Sequence, residues 1–109
     1  MVLLQNQVEA SIREVLKLVW ILRLAENKML LLSRQSDSGG TFQLSCAGHE
    51  LAGIVAGKSL LPEKDWSFPY YRDQGFPLGL GGDLAEIVAA FLARTSSNHS
   101  SGRMMPYHY

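Results

Sequence analysis

From residue 5 to residue 33 the chain offers apolar side chains to every side of a helix, and few folds can accommodate that. Val8, Ile12, Val15, Val19 and Leu22 recur at threes and fours, the period of an α-helix. Leu16, Leu18, Trp20, Ile21 and Leu24 fill other faces of the same cylinder. A helix that is apolar all round is expected to be buried. A chain of 109 residues has only two or three further elements with which to cover it. Two readings follow: a helix in the middle of a small bundle, or one that docks against protein outside this chain. A membrane span is excluded, because Lys17, Arg23, Glu26 and Lys28 interrupt residues 15–32 too often.

The rest of the chain also reads as mainly helical, with about three helices in all and two long loops. Residues 34–47 form a connector marked by Asp37 and the Gly39-Gly40 pair, with a short extended segment expected over residues 41–46. Residues 48–61 read as a helix whose Ala and Gly content allows close packing, ended by Pro62. Residues 62–82 are rich in Pro and Gly and read as a loop. Asp83 is a fair N-cap for a helix over residues 83–94, and Glu86 stands at capping-box spacing. Residues 95–109 form a polar tail closing on MMPYHY, an unusual end for a domain, where small polar residues are the norm.

Lys+Arg and Asp+Glu both count 10, so the chain lacks the basic excess of a nucleic-acid binder or of a protein held on anionic membranes. Its single cysteine, Cys46, cannot form an internal disulfide. The opening MVLLQNQVEA has no basic region and no small-residue cleavage site, so it is not a secretory signal, and a cytoplasmic location is expected.

Most short motifs fail on spacing. AGKS at residues 56–59 resembles the end of a phosphate-binding P-loop, but Gly53 and Gly57 leave three residues between them where four are required. GLGG at residues 79–82 lacks the G-x-G-x-x-G spacing and follows a proline loop where the dinucleotide fingerprint follows a strand. Cys46, His49, Glu50, His99 and His108 show no metal-ligand spacing, so no metal site is assigned to this chain. Tyr70, Tyr71, Arg72 and Asp73 remain. One reading has them plug a loop into the core, with the hydroxyls reaching water. The other is anion recognition: the planar guanidinium of Arg72 matches a phosphate, a phenol adds an uncharged donor, and Asp73 holds the guanidinium in place.

Three stretches taken in order, GTFQLSCAGHELAG, DWSFPYYRDQGFPLGLGG and SSGRMMPYHY, resemble one family. They look like the N-terminal part of the α subunit of thiamine-diphosphate-dependent 2-oxo acid dehydrogenases, nearest the branched-chain 2-oxoisovalerate type. The likeness also extends to the α half of forms in which α and β are fused. It covers about residues 23–109. It implies an N-terminal fragment of an α/β thiamine-diphosphate-binding fold, most of whose strands belong to later sequence. It implies that Tyr71 and Arg72 bind the diphosphate of thiamine diphosphate. Gly48, His49 and Glu50 match G-[HQE]-E, read as a packing or interface element and not as a ligand site. Gly102, Arg103, Met105, Pro106 and His108 match G-R-x-M-P-x-H near the cofactor entrance. No catalytic residue is assigned, and His108 is the one candidate.

The resemblance further implies a decarboxylating dehydrogenase that passes an acyl group to a lipoyl acyltransferase and works with a β subunit in an α2β2 assembly. Leu44, at the place where pyruvate-using relatives carry a histidine, leans toward an apolar branched-chain 2-oxo acid. Pyruvate or acetoin remains the alternative substrate, and a non-catalytic helical interaction module the alternative role. The Gly-Asp-Gly and later Asn that hold magnesium in the family are not in this sequence. The magnesium ligands and the activating glutamate are therefore expected elsewhere, and the 109 residues alone are expected to be inactive.

Overall fold

Residues 2–33 contain neither proline nor glycine, and nothing interrupts a helix there. In a computed structural model they form one continuous helix, α1, Val2–Ser33. The structure describes residues 1–35, 45–98 and 100–103. After α1 come α2 (Glu50–Lys58), α3 (Gly75–Gly79) and α4 (Leu84–Phe91), and the described residues contain no strand. The expected mainly helical chain is what is found. Of the expected extended segment, residues 41–44 lie outside the described residues, and Ser45 and Cys46 are irregular.

Of the two readings of α1, a helix in the middle of a small bundle is not what is found. Only Leu22, Glu26 and Met29 are buried on it. Leu4, Val8, Ile12, Leu16, Trp20 and Leu24 follow one another at every fourth residue and are 48–66 % exposed. The reason is length: α1 has 32 residues, about 48 Å at 1.5 Å per residue, while α2, α3 and α4 have 9, 5 and 8. The short helices cover the C-terminal half of α1, with Lys58 of α2 reaching back to Glu14, and leave its first three turns uncovered. No helix among the described residues is long and apolar enough to cross a membrane.

The core forms where that half meets the others. Leu22 and Met29 pack with Cys46, with Leu78 of α3 and with Ile87 and Phe91 of α4. Burying a side chain of this kind contributes about 1.5–3 kcal/mol. Ile87, Ala90 and Phe91 fall at helical spacing on the buried face of α4. Asp83 caps that helix as expected, its Oδ1 accepting from Ala85 N at 2.9 Å. The carboxylate of Glu86 ties down the segment after α4, accepting from Ser97 Oγ at 2.7 Å and Asn98 N at 2.5 Å.

Residues 62–82 are not wholly a loop, because α3 lies within them. Its Gly75 and Gly79 face Gly53 and Gly57 of α2, two pairs each spaced by four. A Cβ at Gly79 would lie 2.7 Å from Ile54 Cα, and one at Gly57 would lie 2.7 Å from Leu80 N. One at Gly75 would lie 2.9 Å from the Glu50 carbonyl oxygen. Backbone thus rests on backbone. The glycines that read as loop residues are contact residues, and Pro77 sits in the first turn of α3, where its missing N–H costs no helical hydrogen bond. The three-residue gap that disqualified a P-loop is the spacing of this helix crossing.

Candidate functional site

The tyrosine–arginine segment is a tight turn. Asp73 N donates to the Tyr70 carbonyl at 2.8 Å, which puts Tyr71 and Arg72 at the two corner positions. Tyr71 is half-buried against the core, while Tyr70 is 59 % exposed. The two rings lie 4.3 Å apart between centroids at 51°. Arg72 Cζ sits 5.8 Å from the centre of the Tyr70 ring and 5.7 Å from that of Tyr71, within cation–π range of both.

The hydroxyls form a short chain. The Tyr71 oxygen accepts from the Tyr70 hydroxyl and from Arg72, and these two bonds pull the Tyr71 phenol below the usual tyrosine range. Donating to Tyr71 pushes the Tyr70 phenol up. The guanidinium is held more firmly protonated by its bond to Tyr71. Among the described residues the ion pairs are Arg23–Glu50 and Lys58–Glu14, so Arg72 has no carboxylate partner there. The expectation that Asp73 grips the guanidinium is corrected. Asp73 Oδ1 accepts from Phe76 N at 3.2 Å, at the start of α3, and the side chain is pressed against Gly53.

Opposite this turn stands the segment that enters α2, held by two charged side chains of α1. Glu26, buried in the core, accepts from Ser45 Oγ at 2.8 Å and from Cys46 N at 2.9 Å. Arg23 Nε donates to Glu50 Oε1, and Glu50 Oε2 accepts from Gly48 N at 2.7 Å. The bond from Arg23 holds the buried Glu50 carboxyl below its ordinary range. Gly48 carries φ +96°, which favours glycine. Glu50 of the G-[HQE]-E match is therefore a structural tie, in line with its reading as a packing element. Burial, with Glu26 adding to it, pushes the Cys46 thiol up to about 12, so it stays protonated.

Between the two walls lies a cleft of ≈ 490 Å³ lined by Ser45, Cys46, His49, Tyr70, Arg72 and Asp73. That volume is within the range of small-molecule sites. It presents an unpaired-by-carboxylate cation, a phenol and the exposed His49. This set can accept an anion. No group of three or more His, Cys, Asp or Glu side chains that could hold a metal occurs among the described residues.

Of the two suggested ligands, Arg72 lines the cleft, together with Tyr70, while Tyr71 packs against the core and meets Arg72 through its hydroxyl. Gly102 and Arg103 of the G-R-x-M-P-x-H match are described, and Gly102 packs on the turn after α4, where a Cβ would lie 2.7 Å from the Ala93 carbonyl carbon. Met105, Pro106, His108, His99 and Leu44 lie outside the described residues. Sequence reasoning missed Arg23 and Glu26 as supports of the cleft wall. The available signal was a pair of opposite charges three apart in an otherwise apolar run.

The chain belongs to the dehydrogenase E1 component family, whose sequence profile matches residues 16–109. Among its relatives is the 2-oxoisovalerate dehydrogenase subunit alpha of Bacillus subtilis (strain 168). The two are 34 % identical over 87 residues, which cover 80 % of this chain and 26 % of that protein. The chain spans about a quarter of that relative's length. No solved structure matches it.

Proposed function

We propose that this chain forms the N-terminal part of an α subunit that decarboxylates branched-chain 2-oxo acids with thiamine diphosphate and passes the acyl group to a lipoyl acyltransferase. The observation that carries the reading is Arg72: a guanidinium hydrogen-bonded to Tyr71 in a cleft, with no carboxylate partner among the described residues. A cation so placed fits a diphosphate. Arg72 would contact the phosphate oxygens as a planar fork, and Tyr71, whose phenol is already polarised by two donors, would fix the direction of that fork. When bound, thiamine diphosphate supplies the carbon nucleophile that makes decarboxylation possible, and the chain's own task is to hold it still.

Family membership and the 2-oxoisovalerate-type relative support the substrate class. A β subunit in an α2β2 assembly would complete the site, magnesium would be held by residues outside this chain, and His108 is the candidate for proton handling. A cytoplasmic location accompanies this assignment.

The test is cofactor affinity in the full-length α subunit assembled with its β partner. Loss of a hydrogen bond to a charged group costs about 1.5–3 kcal/mol, so Arg72→Ala is expected to weaken thiamine diphosphate binding about 10- to 100-fold at unchanged thermal stability. Unchanged affinity in a folded Arg72→Ala protein would return residues 70–73 to the role of a loop plug.

A further inference from the structure

The turn that carries Arg72 is not held by Arg72's own contacts. It is closed on one side by Asp73, whose backbone N donates to Tyr70 O at 2.8 Å and whose carboxylate accepts from Phe76 N at 3.2 Å. One residue thus ends the turn and starts α3. The carboxylate has a definite place because α2 leaves room for it: a Cβ at Gly53 would lie 3.0 Å from Asp73 Cγ and 3.0 Å from Phe76 N. Asp73 also lines the cleft, where a carboxylate would repel an anion. Its bond to the Phe76 amide turns that charge toward the start of α3.

From this geometry we propose that Asp73 is a positioning residue for the anion site and that Gly53 is the socket that seats it. Asp73 does not touch the ligand. It sets the backbone from which Arg72 reaches, and the absence of a side chain at residue 53 lets it do so. The proposal rests on the reading of Arg72 as an anion ligand. It extends that reading to two residues, one of them on a different helix and turned away from the ligand.

The experiment is a set of variants in the full-length α subunit assembled with its β partner. Thiamine diphosphate affinity is read by titration calorimetry, and competition by inorganic pyrophosphate is read alongside. Asp73→Ala removes the acceptor and is expected to weaken cofactor binding about fivefold, the factor that one lost hydrogen bond of about 1 kcal/mol corresponds to. Asp73→Asn keeps the acceptor and is expected to bind within about twofold of the parent. Gly53→Ala pushes on the carboxylate and is expected to match Asp73→Ala. Combined with Asp73→Ala it adds less than it costs alone, because the carboxylate is gone and only the Phe76 amide, 3.0 Å from the new Cβ, remains to be displaced. Thiamine diphosphate and pyrophosphate affinity are expected to fall by the same factor while the far-UV circular dichroism of each assembled variant matches the parent, a combination that a general loss of structure would not give.

An Arg72→Ala arm separates the two levels. If Arg72→Ala weakens binding and Asp73→Ala does not, the positioning role is overturned while the anion site stands. If Asp73→Asn loses as much as Asp73→Ala, the carboxylate acts through its charge and the proposal is equally overturned. If Arg72→Ala leaves affinity intact, the anion reading fails and the role of Asp73 fails with it. Where Asp73→Ala does not assemble, Asp73→Ser supplies a weaker acceptor and an intermediate loss is expected. A Ser variant as tight as the parent also overturns the role.

Discussion

Replacing Gly79 by alanine sets two known effects against each other, and the structure decides between them. Alanine is the better helix former, by at most about 1 kcal/mol at residue 79, the last residue of α3. Its Cβ, however, would lie 2.7 Å from Ile54 Cα and 2.8 Å from the Ile54 carbonyl carbon. Both are backbone atoms of α2, so no rotamer change relieves the overlap, and the helices must part by roughly 1 Å to restore contact distance. Overpacking of this kind costs about 1–3 kcal/mol, and the backbone contact places it at the upper end. Net of the propensity gain, Gly79→Ala is expected to destabilise by about 2 kcal/mol. For a domain of this size that lowers the melting temperature by roughly 8–15 °C. Urea unfolding followed by circular dichroism measures it, with a lower midpoint at an unchanged slope. A neutral or stabilised Gly79→Ala would mean that propensity alone governs residue 79 and that α2 and α3 do not meet backbone to backbone.

Two further outcomes follow from the α1 side of the cleft. Glu50 has a depressed carboxyl pKa in the folded chain, so its contribution is full above the ordinary carboxylate value and is lost as pH falls through the lower folded value. In Arg23→Met the buried carboxylate loses its cation. The variant is therefore expected to be weakest, relative to the parent, at neutral pH, with the gap closing below about pH 4, as acid unfolding curves would show. A gap that widens in acid contradicts the pairing. Cys46, with its thiol pushed up to about 12, carries about one thiolate in 10⁴ at pH 8. Iodoacetamide is expected to label it only as fast as the chain opens, and labelling of the folded chain at the rate of a free thiol would contradict its burial.

The sequence carried the helices well because their signals are local. The uninterrupted run over residues 2–33, the Asp83 cap and the apolar face of α4 each depend on neighbours within a turn or two. What it carried poorly depends on distance. Whether the apolar sides of α1 find partners is set by how little chain remains to cover them. The glycines at 53, 57, 75 and 79 gave the same composition whether they loosened a loop or joined two helices, and only their meeting in space separates the cases. In the candidate site, Tyr71 and Arg72 were legible from residue type. The partner of Asp73 was not, because its nearest charge in sequence, Arg72, is not the group it binds. Arg23 and Glu26 lie more than 15 residues before the segment they hold, so their spacing marks them as unusual in that run without naming their partners.

The half-covered α1 has a mechanical consequence. Without proline or glycine between residues 2 and 33, the helix has no residue at which a bend is favoured. Its second half is clamped: Arg23 grips Glu50, Glu26 grips Ser45 and Cys46, and Leu22 and Met29 are wedged in the core. The part before Glu14, which is tied to Lys58 of α2, projects as an arm, in a molecule 55 Å along its longest axis and 29 Å along the next. A rod fixed at one end and free at the other acts as a lever. A load on the stripe of Leu4, Val8, Ile12 and Leu16 tilts the same rigid body that holds the Ser45–Cys46 wall of the cleft, so the width of the cleft and the seating of that stripe are geometrically linked.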